Sequence, residues 1–209
     1  NSTGIPFGAG DAKYRDVGSW DQELNRWTSE KDGVINEYDR TIIGSPMPDL
    51  YGGIYATYRW KRWSLDALVQ FVYGSEVFNY LRYQNEKMST VSNQSLATLD
   101  RWQYEGQDTD VPRALWQDPV GNSDFSTRWI EDGSFLRLKN LNLSYRIPDK
   151  LLFFKNFEVF ITASNLITFS DYLGFDPEFS YSFHAMEQGI DYGLMPHVRK
   201  FMIGIKAGL

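Results

Sequence analysis

The segment KDGVINEYD, residues 31–39, sets Asp32, Gly33, Ile35, Asn36 and Asp39 at the spacing of the second half of an EF-hand calcium loop. In such a loop oxygen ligands recur at every second residue, one of them a backbone carbonyl as Ile35 would supply, and a glycine makes the sharp turn. The first half is missing directly upstream, so the pattern fits either a bound calcium ion or a plain Asx-rich turn. Aromatic side chains form a second group. Trp102, Tyr104, Trp116, Phe125 and Trp129, with Tyr181 and Phe183 further on, sit in stretches rich in polar residues. Flat rings there suit stacking on sugar rings, anchoring of peptide side chains or the core of a protein interface, and packing of loops on one another uses the same residues. Asp108, Asp110, Asp118 and Asp124 in the same stretches are acceptors for sugar hydroxyls or simply a solvated acidic surface.

Catalysis is not expected. Asp176 with Glu178, and Glu131 with Asp132, have the look of a glycosidase pair, but each flanks a Pro or Gly and reads as a turn former, and nothing marks an acid of raised pKa. His184 and His197 are too far apart in sequence to imply a metal site, and no nucleophile elbow or phosphate loop occurs. The chain has no Cys, which removes thiolate and disulfide chemistry. A net charge of -6 with scattered Lys and Arg argues against nucleic acid as a partner.

The elements that must carry these residues are strands. With 42% apolar and 16% aromatic residues the 209-residue chain has ample material for order, yet no apolar run approaches the roughly 18 residues of a spanning helix. Five segments alternate with period 2: Gly53 to Trp60, Trp63 to Tyr73, Ser134 to Ile147, Phe157 to Ile167 and Val198 to Leu209. The first pair is joined by Lys61 and Arg62 alone, a tight hairpin. The expected order is a loop over 1–52, a hairpin over 53–73, a loop over 74–133, a hairpin over 134–167, a loop over 168–197 and a last strand over 198–209. Short turns on one side and long loops on the other are the pattern of transmembrane barrels, with the turns periplasmic and the loops outside, and counting five strands back from a periplasmic C-terminus places the first loop outside as well. Trp60 and Trp63 flank the turn on the apolar face, as an interfacial girdle requires. A soluble carbohydrate-binding β-sandwich buries the same faces and is the alternative, although loops this long are uncommon in compact domains.

The third strand breaks phase: Leu136 and Leu138 have one parity, Leu141, Leu143 and Tyr145 the other. A β-bulge at Lys139 or Asn140 would restore a single apolar face. Arg59, Arg137 and Lys139 are then expected to point to the lumen or the interface, where charge is tolerated. Five strands cannot close a barrel, and open edges in lipid leave backbone groups unsatisfied. The fold expected is therefore all-β, a set of about five C-terminal strands of a large transmembrane antiparallel barrel.

RWIEDGSFLRLKNL, beginning at Arg128, with DRTIIGSPMPDLYGG from Asp39, SYRIP from Ser144, Asn165-Leu166, GFDPE from Gly174, GID from Gly189 and MPHVRKFMIGI from Met195, resembles the C-terminal region of SusC/RagA-like TonB-dependent transporters of the Bacteroidota. The resemblance spans nearly the whole chain. It implies a 22-stranded outer-membrane barrel occluded by an N-terminal plug, with plug and TonB box lying in an upstream portion, contact with membrane lipid, and a SusD-like surface lipoprotein that lids the extracellular mouth. It implies import of oligosaccharides first and oligopeptides second, driven through the TonB complex. In that family the calcium-like pattern runs on from an Asp placed as Asp16 is, whereas here residues 18–31 stand between the halves as an insertion.

Overall fold

The computed structural model describes residues 5–148, 155–178 and 188–208. In chain order these form β1 (Ser19–Asp21), β2 (Arg26–Thr28), β3 (Leu50–Trp60), β4 (Trp63–Tyr73), β5 (Glu76–Asn79), helix α1 (Tyr80–Glu86), β6 (Ile130–Asp132), β7 (Phe135–Arg146), β8 (Lys155–Phe169), β9 (Ile190–Asp191) and β10 (Lys200–Gly208). Two units are distinguished, Asn1–Gly44 with Asn79–Ile130, and Ser45–Phe78 with Glu131–Leu209.

The second unit is built on one antiparallel sheet in the order β10-β8-β7-β4-β3. Its register follows from the alternation. Ile54 pairs with Val69, Ala56 with Ala67, Tyr58 with Leu65 and Trp60 with Trp63, so the apolar parities of β3 and β4 coincide. The phase break in β7 is resolved by the expected bulge: Leu68 pairs with Asn140 and the next residue, Val69, with Leu138, leaving Lys139 out of the ladder. Leu136, Leu138, Leu141, Leu143 and Tyr145 thereby share one face. On the other side of β7, β8 skips Asn165 and Leu166 at the same level, where Asn165 takes φ 52. Asn is among the few side chains that tolerate that conformation. The apolar face continues into β10, where Phe201, Ile203 and Ile205 oppose Ala163, Ile161 and Val159.

No second sheet covers this face among the described residues. Ile203 is 74% exposed, Ile54 62% and Ile161 48%, in the middle of their strands. A β-sandwich would have buried them, so the sandwich reading fails on its own criterion. At the β3–β4 turn Lys61 takes φ 56, Trp60 and Trp63 stand on the apolar face, and the Trp63 ring lies 4.7 Å from that of Tyr145.

The long connections are more ordered than expected, because polar stretches that show no hydrophobic period still form hydrogen-bonded turns. Three short strands form a separate sheet, β6-β5-β9, beside the wall. In the first unit, β1 and β2 make a two-stranded hairpin within residues 18–31. The same unit holds α1, whose first turn is capped by Asn79 Oδ1 accepting from the Arg82 amide at 2.9 Å. Its core is Trp129, fully buried and edge-on to Tyr83, with the Arg128 guanidinium 4.6 Å from its ring.

Candidate functional site

The opposite face of the wall is polar and hydrogen-bonded across strands. Asp66 on β4 accepts from Thr57 Oγ1 of β3 at 2.8 Å and from Asn142 Nδ2 of β7 at 3.2 Å, and Asn142 Oδ1 accepts from Thr162 Oγ1 of β8 at 2.8 Å. One rung thus links four strands through side chains alone.

Higher on the same face stands a charged cluster. Arg137, 3% exposed, donates from Nε to Thr168 Oγ1 at 2.9 Å, from Nη1 to Glu178 Oε2 at 2.7 Å and from Nη2 to Asp176 Oδ1. Lys139, released from the ladder by the bulge, donates to both Glu178 oxygens at 2.6 and 2.7 Å, and Gln70 of β4 adds a contact of 3.3 Å. The second Asp176 oxygen accepts the His197 amide at 2.8 Å and lies 3.0 Å from His197 Nδ1. Parts of the chain before and after residues 179–187 are therefore tied to the wall through one guanidinium. A buried Arg with its fork satisfied by two carboxylates is tolerated because each of its three nitrogens has a partner.

Burial pushes the Asp176 carboxyl up, but the Arg137 hydrogen bond and the amides of His197 and Glu178 outweigh it and hold the group below the ordinary carboxylate value. A folded-state pKa below the unfolded one contributes stability above the unfolded pKa of roughly 3.9 and loses it as pH falls through the lowered value. Asp176→Asn is therefore expected to lower the melting temperature of the purified receptor at neutral pH, with the gap to wild type closing only in acid below the usual carboxylate range. A gap independent of pH down to that range and beyond would show that the carboxylate charge is not what matters.

The expected site residues fall in different places. Tyr104, Trp116 and Phe125 are well exposed, at 66, 62 and 63%. Trp102 lies against Gly10, where a Cβ would meet its ring at 2.3 Å. Trp129 offers no surface to any ligand, since it is the core of its unit. Tyr181, Phe183 and His184 lie outside the described residues. The two halves of the calcium-like loop do meet: Asp16 Oδ2 accepts from the Gly33 amide at 2.8 Å, and Asp39 accepts from Val17 at 2.9 Å and Asn36 at 2.8 Å. Asp32 accepts from Val34, and Asn36 Oδ1 caps the Tyr38 amide. Most of these oxygens accept from the loop's own amides, as in an Asx-rich turn, while Asp16 Oδ1 is buried without a hydrogen-bond partner among the described residues. Asp176, Glu178 and Arg137 were legible as turn formers and a lumen charge, but their meeting was not. The one available signal was two cations, Arg137 and Lys139, on a strand that carries no carboxylate to answer them.

Relatives locate this architecture. The chain is 33% identical over 181 residues to TonB-dependent receptor P3 of Formosa agariphila, covering 83% of this chain and 18% of that receptor. Receptor P26 of the same organism is also 33% identical, over 208 residues, 96% of this chain and 20% of the receptor. The chain belongs to the TonB-dependent receptors. Its fold matches the solved RagAB peptide importer in the open-open state, with a TM-score of 0.69 and 28% identity over 90% of this chain and 20% of that one. No protein-family model matches. This receptor segment spans about a fifth of the length of the relatives it matches. Its five strands are part of the wall of an outer-membrane barrel, with one exposed apolar face and one hydrogen-bonded polar face. Its relatives are receptors and an importer, in keeping with a chain that is not an enzyme.

Proposed function

We propose that the receptor containing this segment imports a nutrient across the outer membrane through a plugged lumen, drawing on TonB, with a SusD-like lipoprotein as its lid. The observation that supports it is the wall itself: an uncovered apolar face backed by a hydrogen-bonded polar one, in a segment 90% of whose length follows an importer's barrel. On this reading the β3–β4 turn and the C-terminal end of β10 are periplasmic, and residues 1–52, 74–133 and 168–197 belong to the extracellular side. Oligosaccharides are the proposed cargo, because exposed rings such as Tyr104 and Trp116 stand in polar surroundings that suit hydroxyl-rich ligands. Oligopeptides are the second reading, favoured by the likeness to a peptide importer.

Mass spectrometry of every chain that co-purifies with this segment from outer membranes in mild detergent tests the assignment. An upstream plug-bearing portion and a SusD-like lipoprotein are the expected companions. A lone chain, monodisperse without detergent, would overturn it.

A further inference from the structure

Residues 18–31 carry a feature of the first unit that closure of the loop frame does not require. The frame closes without them, through Asp16 to Gly33 and Asp39 to Val17. The insertion itself folds as the β1–β2 hairpin, with Glu23 and Leu24 amides donating to Asp21 Oδ1 and Asn25 at φ 47 turning the chain. Trp20 and Trp27 are cross-strand partners on it. Instead of packing on each other, each is fastened to the loop frame. The Trp20 ring stacks on Tyr38 at 5.7 Å and 23°, and Trp27 Nε1 donates to the Tyr38 carbonyl at 2.8 Å. Gly18 lets the Trp27 indole lie flat on the backbone, since a Cβ there would meet the ring at 2.3 Å. Three rings are thus held rigid, yet Trp20 is 39%, Trp27 48% and Tyr38 38% exposed, in an open cleft of about 760 Å³. The exposed side chains of Glu37 and Arg40 stand in the lining of the same cleft.

We propose that this hairpin is a carbohydrate-binding platform, on which the Trp20–Tyr38 stack and the Trp27 ring receive the C–H faces of neutral pyranose units while Glu37 and Arg40 hydrogen-bond their hydroxyls. Rings fixed before binding lose little entropy when a ligand arrives, which is what a capture site needs. One acceptor carboxylate and one donor guanidinium match vicinal hydroxyls, whose groups both give and accept. An open cleft admits one stretch of a longer chain. The inference deepens the uptake reading and rests on it for the biological role, although binding can be measured without uptake.

The test uses the full-length receptor in mild detergent on an array of defined neutral and acidic oligosaccharides and on a peptide library of matched length. Wild type is expected to bind at least one neutral glycan, with a loss of tenfold or more in Trp20→Ala and in Tyr38→Ala and recovery of most of it in Trp20→Phe. Circular dichroism confirms that the barrel is intact in each. Equal glycan binding by wild type and both alanine variants, no glycan bound at all, or a loss confined to peptides overturns the platform. Uptake of the bound glycan into whole cells is scored separately: binding without TonB-dependent uptake sinks the import reading and leaves the platform standing.

Discussion

Arg137→Ala is expected to destabilise the folded receptor by about 3–5 kcal/mol, the usual consequence of removing one member of a buried, hydrogen-bonded ion pair. The magnitude comes less from the attraction lost than from what is left behind. Asp176 is 5% exposed and would keep a charge with only amides and His197 to answer it, while Glu178 would retain Lys139 and the Gln70 amide. Lys in place of Arg should recover only part of the loss, because an ammonium cannot present the parallel fork that reaches Thr168, Asp176 and Glu178 together. Heat-modifiability of the barrel on semi-denaturing gels, followed by denaturant titration in detergent, measures the effect. Pairing Arg137→Met with Asp176→Asn and Glu178→Gln separates the causes: the triple variant should be more stable than Arg137→Ala, since no carboxylate is left uncompensated. If the triple variant is as unstable as the single one, the packing of Arg137 and not its charge is what holds the cluster.

Ile161→Arg is expected to cost about 2–4 kcal/mol, the range for a cation on the lipid face near the bilayer midplane. Ile161 sits mid-strand in β8 between Leu143 on one side and Ile203 on the other, all three on the apolar face and all well exposed. The same substitution at Ser164, three residues on and of opposite parity, faces the lumen wall beside Asn140 and should be tolerated far better. Folding yield into lipid vesicles and the urea midpoint of the refolded barrel report the difference. Equal behaviour of the two arginines would mean that parity does not decide what meets lipid, and the facing of the wall would have to be reassigned.

Both predictions depend on facing, and facing was legible in the chain wherever alternation was uninterrupted. Trp63, Leu65, Ala67, Val69 and Phe71 announce the apolar side of β4 because neighbouring side chains on a strand point to opposite faces. Even the bulge at Lys139 was readable, since a sheet that keeps one greasy face must absorb a change of parity somewhere. Strand ends were less so: β8 runs to Phe169, and β3 begins at Leu50, because ladder partners extend strands past the residues whose own pattern demands it. The β1–β2 hairpin and α1 were invisible, being short, polar and stabilised by caps and single ring contacts that leave no periodic trace.

Sequence by itself determined the class of solvent each face requires, the hairpin pairing and the family, because these follow from local parity, turn length and ordered motifs. Tertiary structure alone decided which distant residues share a charge. Arg137 meets Asp176 and Glu178 across 39 and 41 residues, Asp176 meets His197 across 21, and Trp20 finds Tyr38 because Asp16 and Gly33 close the loop between them. Such meetings depend on where the chain returns after a turn, and no local period records that.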